Sequence, residues 1–153
     1  MARARNVTSV PYATARSGAA ARDEITAILR RFGCTAVGFT DDFDSMSVWL
    51  EFQHRGRGVQ LRASAKGWAA MFLRAKPYTS RRRASKAEYE AAALRQGLIA
   101  INSILRDWVK GQVTAIECGA MPFDAVFMPY MLTNDGRTFF ERASETRLLP
   151  APR

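Results

Sequence analysis

Ser45-Met46-Ser47-Val48-Trp49-Leu50-Glu51-Phe52-Gln53-His54-Arg55-Gly56-Arg57-Gly58-Val59-Gln60-Leu61-Arg62-Ala63-Ser64 is the stretch that decides the fold. Met46, Val48, Leu50 and Phe52 fall on one parity, and Ser47, Trp49, Glu51 and Gln53 on the other. After the glycine-bearing link Arg55–Gly58, Val59, Leu61 and Ala63 resume the apolar parity opposite Gln60, Arg62 and Ser64. Period-two alternation is the mark of a strand, and glycines between two such runs supply the positive φ of a hairpin turn. Upstream, Thr35 to Thr40 reads as a short strand, and Asp41-Asp42-Phe43-Asp44 as a turn, because Asp side chains bond their own backbone. The expectation is a three-stranded antiparallel meander with one apolar face and one polar face.

Helices are expected on either side of this sheet. From Ser17 to Phe32, the apolar residues Ile25, Ile28, Leu29 and Phe32 recur at helical spacing, Arg30 and Arg31 occupy the last turn, and Gly33 follows as a stop. Ala65 to Arg74 is a second helix, with Trp68, Ala69, Met71 and Phe72 as core, and Lys76-Pro77 ends it. Ser85-Lys86-Ala87-Glu88 has the form of a capping box and opens a long helix to about Cys118. Leu94, Leu98, Ile101, Leu105 and Trp108 form its seam, with Ile99, Ile104 and Val109 widening the apolar surface. Gly97 and Gly111 lie inside this helix, so close packing is expected at both. Pro122 opens a short helix that Pro129 ends, and Asn134-Asp135-Gly136 is the turn of a small hairpin returning through Thr138 to Phe140. The reading is an α+β chain in three parts: a basic flexible arm 1–16, a single domain 17–142 with a helical C-terminal half, and a tail 143–153.

Composition narrows the function. The chain has 153 residues, 48% hydrophobic, with 23 Lys and Arg against 14 Asp and Glu. That excludes disordered, collagenous and cysteine-stapled classes, and no apolar run approaches the roughly 20 residues of a spanning helix. No apolar block follows the basic start, so the expected location is the cytoplasm rather than the secretory route. Cys34 and Cys118 are expected to be buried small residues in a reducing compartment, and a single histidine, His54, precludes a zinc constellation. No nucleophile motif or Gly-rich phosphate loop is present, so no catalytic residue, cofactor or metal is assigned. A metal-dependent nuclease built on Asp41, Asp42, Asp44 and Glu51 is the sharpest enzymatic alternative, against the plainer role of an acidic turn.

Charge is concentrated. Residues 35–54 carry four acids and no Lys or Arg, whereas 55–86 carry ten cations and no acid. The cations are Arg55, Arg57, Arg62, Lys66, Arg74, Lys76, Arg81, Arg82, Arg83 and Lys86. Such a run is stabilised by a polyanion, because neutralising phosphates releases condensed counterions. Trp49, outward opposite Arg62, and Tyr78 are the stacking candidates that would favour strands with accessible bases. The expected function is therefore non-enzymatic nucleic-acid binding, to single-stranded or structured DNA ahead of RNA. A homodimer through residues 85–118 is also expected, because one small sheet cannot cover a helix apolar on several faces.

The segments Asn102–Gln112 and Ala120–Leu132 resemble parts of small basic proteins encoded by tailed phages and prophages. The similarity runs over most of residues 20–140 and carries no specific signature, so no site residue is transferred from it. The resemblance implies a role in phage DNA metabolism or, as the second reading, binding and inhibition of a host nucleic-acid machine.

Overall fold

The alternation over 47–64 gives the hairpin it predicts. A computed structural model describes residues 10–152. In it, β2 (Ser47–His54) and β3 (Arg57–Ser64) pair antiparallel, with Trp49 opposite Arg62 and Phe52 opposite Val59. The loop between them is two residues, Arg55 and Gly56, both at positive φ (49° and 75°). That is the primed-turn geometry whose twist matches paired strands. Val48, Leu50, Phe52, Val59 and Leu61 are buried on one face, each side chain contributing roughly 1.5–3 kcal/mol by burial.

β1 (Ala36–Asp42) completes the sheet in the order β1-β2-β3. It is longer than expected, because Asp41 and Asp42 pair with Val48 and Ser47 instead of turning. The turn falls on 43–46, where the Asp42 carboxylate accepts the N–H groups of Asp44 and Ser45. Met46 therefore belongs to the turn, at φ 52°, and is half-buried rather than the first inward residue of the strand.

α1 (Gly18–Phe32) is capped by Ser17, whose hydroxyl accepts the Ala20 N–H, and stopped by left-handed Gly33. α2 (Ala65–Ala75) follows β3 directly, and α3 (Lys86–Glu117) begins with the full reciprocal capping box of Ser85 and Glu88. α1 and α3 cover the apolar sheet face, while α2 packs back along the first half of α3. Arg22 binds these layers together: its Nε donates to buried Asn102 at 2.8 Å, and its terminal nitrogens reach the Asp41 carboxylate.

Several expectations are corrected. The seam residues of α3 are buried or half-buried inside one chain, because α1 and α2 flank the helix in addition to the sheet. With α1 and α2 on its flanks, α3 has cover for this seam within one chain, so the apolar seam alone is no reason for the homodimer expected through 85–118. Gly97 does pack closely, but Gly111 is exposed with open space around it. Cys118 is exposed, and Cys34 is half-buried. Residues 10–16, assigned to a flexible arm, are docked: Val10 is buried, Trp68 Nε1 donates to the Pro11 carbonyl, and Tyr12 Oη donates to Asp107. Residues 1–9 of that arm lie outside the described residues. Pro122 is the N-cap of α4 (Phe123–Phe127), and Pro129 sits in a 3-10 turn over Met128–Tyr130. The expected second hairpin reduces to single bridges, Leu132 with Thr138 and Val59 with Met131. Thr138 then caps α5 (Phe139–Glu145), which takes up part of the assigned tail.

Candidate nucleic-acid interface

The ten cations of 55–86 do not form one surface. Arg55 and Arg57 stand at the tip of the β2–β3 hairpin. That tip lies toward the Phe52–Phe127–Trp108 contacts, roughly 20 residues along α3 from Lys86, or about 30 Å at 1.5 Å per residue. Arg62 is in mid-sheet, and Lys66 is exposed on the first turn of α2. Arg74, Lys76, Arg81, Arg82, Arg83 and Lys86 gather where α2 ends, the connection 76–85 crosses over, and α3 begins.

This α2–α3 corner is built by aromatic packing. Phe72 stacks on Trp68, Tyr89 tilts against Phe72 and Tyr78, and the Tyr89 hydroxyl donates to the Lys76 carbonyl at 2.6 Å. The Tyr78 hydroxyl donates to the Ala84 carbonyl, closing the connection on itself. The rings thus hold the backbone while the cations project outward. Arg82 lies over the Tyr89 ring at 4.4 Å, and Lys86 pairs loosely with Glu90 at 3.9 Å. Arg74, Lys76, Arg81, Arg82 and Arg83 are exposed and have no ion-pair partner among the described residues.

The two stacking candidates fare differently from the cations. The Arg62 guanidinium lies 4.1 Å from the centre of the Trp49 ring and occupies one face of it, and the indole N–H donates to Ser47. Arg62 is itself held by two hydrogen bonds to the Gln60 amide oxygen, and Gln60 donates to Glu51 at 2.5 Å. The sequence put Arg62 beside Trp49 as a potential ligand contact; the chain uses it as a lid on the indole. Tyr78 is half-buried against Tyr89 and offers no free stacking platform.

The carboxylates of the nuclease alternative are dispersed. Asp41 is held by Arg22 at 2.5 Å, Asp42 caps the turn, and Glu51 is bonded to Gln60. The backbone N–H of Ser45 is the main cause that lowers the Asp42 pKa. Among the described residues no group of three or more His, Cys, Asp or Glu is placed to hold a metal ion. The Cys34–His54 pair, 3.8 Å apart, has the residue types of a thiol site but not its chemistry. Burial pushes the Cys34 thiol up to about 11, so the thiolate a nucleophile needs is disfavoured. His54 is 4% exposed and stacked on Phe32, and burial, followed by the charge of Arg55, lowers its pKa.

One surface escaped the sequence reading. Phe140 and Leu149 are 62% and 83% exposed, and Phe139 and Leu148 are exposed beside them. A helix of seven residues gives too short a period to show such a patch in advance. No helix among the described residues is long and apolar enough to cross a membrane. No family model, curated protein or solved structure matches the chain.

Proposed function

We propose that the protein is a non-enzymatic nucleic-acid-binding protein, with DNA ahead of RNA as its partner, in phage-type DNA metabolism. The α2–α3 corner is its phosphate-contacting surface. The observation that carries this reading is the cluster of five unpaired, exposed cations, Arg74, Lys76, Arg81, Arg82 and Arg83, on a backbone held by Tyr78 and Tyr89. Unpaired cations on a turn shaped by ring packing make backbone contacts that fix position without reading sequence. With one face of Trp49 taken by Arg62 and Tyr78 packed on Tyr89, the corner favours the phosphate backbone over base stacking, and those rings lend less support to a preference for single strands.

If about five phosphates are contacted, log K should fall against log salt with a slope near −3.5 to −4.5. Replacing Arg81, Arg82 and Arg83 with Ala should flatten that slope by about 2 to 3 with the melting temperature nearly unchanged, since all three are exposed. A mobility-shift series across salt concentration measures this, and an unchanged slope would reject the corner as the contact surface.

The second reading, an interaction protein that inhibits a host nucleic-acid machine, is supported by the exposed Phe139, Phe140, Leu148 and Leu149. Phe139 and Leu148 line one cavity and Phe140 and Leu149 another, and exposed apolar side chains mark protein contacts more often than phosphate contacts. Failure to bind naked oligonucleotides at low salt, with the fold intact, would favour it.

A further inference from the structure

Where residues 12–17 cross the first turn of α1 and the middle of α3, they border an open cleft of about 430 Å³. Arg16 borders it from the crossing segment and Arg106 from α3. Ser103 lines it and is 4% exposed. Nearby α3 side chains of similar polarity return to the helix, Asn102 to the Leu98 carbonyl and Thr114 to the Lys110 carbonyl. The Ser103 hydroxyl has no hydrogen-bond partner among the described residues. Among the described residues no fully buried side-chain N or O atom lacks a hydrogen-bond partner, so the Ser103 oxygen keeps some solvent access, and the cleft is the cavity that Ser103 lines.

The surroundings favour a negative guest. The first turn of α1 carries no acid to balance the positive end of the helix dipole; the Ser17 hydroxyl takes the Ala20 N–H and the Asn102 side chain covers Gly18, so the helix end faces the cleft through Ser17 and Ala20. Arg106 is positioned through its Nε, which pairs with Asp107 at 3.0 Å and Glu24 at 3.6 Å. Its two terminal nitrogens form no hydrogen bond among the described residues, and the Glu24 and Asp107 carboxylates offset part of its charge. Asp107 is occupied further by the Tyr12 hydroxyl at 2.6 Å. A hydroxyl, a pre-positioned guanidinium and a second arginine at a helix N-terminus are a donor set matched to tetrahedral oxyanions.

We propose that this cleft binds the phosphate group of a phosphate-bearing ligand through Ser103 Oγ, Arg106 and Arg16. The cleft is distinct from the α2–α3 corner, since Ser103 stands about 25 Å along α3 from Lys86. The phosphate can come from a mononucleotide-sized molecule or from a nucleic-acid chain, and the same three groups would hold either.

The test is an NMR titration of the full chain with inorganic phosphate, against sodium chloride at matched ionic strength. Phosphate should give saturable shifts at the amides of Gly18 to Ala21, at Ser103 and at the Arg106 Nε–H, whereas chloride should not. Ser103→Ala, which keeps the helix, should weaken phosphate binding three- to tenfold, and Arg106→Gln by tenfold or more. The triple Ala variant at Arg81, Arg82 and Arg83 should leave these shifts unchanged even where it removes binding to DNA, which separates this site from the corner. Displacement by adenosine 5′-monophosphate would assign the site to a small ligand, and displacement only by an oligonucleotide would assign it to a nucleic-acid chain. Equal shifts with chloride, or phosphate binding unaltered in Ser103→Ala, would overturn the proposal.

Discussion

A Cβ added at Gly97 would sit 2.8 Å from the Ala65 carbonyl oxygen and 3.4 Å from the Trp68 ring, both fixed groups where α2 crosses α3. Gly97→Ala should therefore destabilise the fold by about 1–3 kcal/mol through overpacking. At Gly111 nothing lies within 4 Å, so Gly111→Ala should stabilise the chain by about 0.5–1 kcal/mol through helix propensity alone. Thermal melts of the two variants should move in opposite directions. The two glycines look alike in sequence, because what separates them is a neighbour more than thirty positions away. Trp49 teaches the same lesson: its outward parity was legible, but the guanidinium on its face depends on Gln60 holding Arg62. His54 carries a pH dependence. It stacks on Phe32 at 4.4 Å and lies against Phe123 at 4.7 Å, and its folded pKa lies below the unfolded value of about 6.5. The unfolded chain then takes up the proton more readily, so this contribution is present above about pH 6.5 and is lost as pH falls below it. The melting temperature should drop between pH 7.5 and pH 5, and His54→Phe should flatten that slope; an identical slope in the variant would remove His54 as its source.

At the scale of elements, legibility follows a repeated local signal or a strong breaker such as Pro122 before α4, and short elements without either are hidden. The hairpin, α1 and the capping box of α3 each repeat a local signal over several residues. β1 hid its last two residues because Asp41 and Asp42 have turn chemistry, and only the register with Val48 and Ser47 makes them strand. α5 is seven residues long, and in sequence its Thr138 cap looks like a residue of the hairpin that Asn134-Asp135-Gly136 announces. The long helix α3 was recognised, but what covers it was not, since apolar residues on several faces look the same under a second subunit or under α1 and α2. A substitution separates the two. Leu105 is buried in the monomer core, so Leu105→Ala should cost about 2–5 kcal/mol by leaving a cavity. Light scattering should show no change in mass for the folded variant. A fall in mass with stability retained would restore the subunit interface.

For the molecule as a whole, net charge was legible as a number and only partly as a surface. The ten-cation run reads as continuous, yet the fold sends Arg55 and Arg57 to a hairpin tip, sets Arg62 over Trp49 on the polar sheet face, leaves Lys66 on the first turn of α2, and gathers the other six at the corner. The corner has another property that follows from its packing. Between residues 70 and 92 no residue is buried, whereas α3 from Ala100 to Val113 runs through the core. The free energy needed to open a segment follows the apolar contacts it would lose, and here those are mostly the partly covered rings of Phe72, Tyr78 and Tyr89. Amide hydrogen exchange should therefore be fast across the last turn of α2 and the first turn of α3, and slow at Ile101, Leu105 and Val109. One helix would then melt from its N-terminal end while its middle stays protected. A phosphate chain resting on Arg81 to Arg83 would slow exchange there by several-fold or more, so that occupancy is written in the rate at which the corner's own amides exchange with solvent.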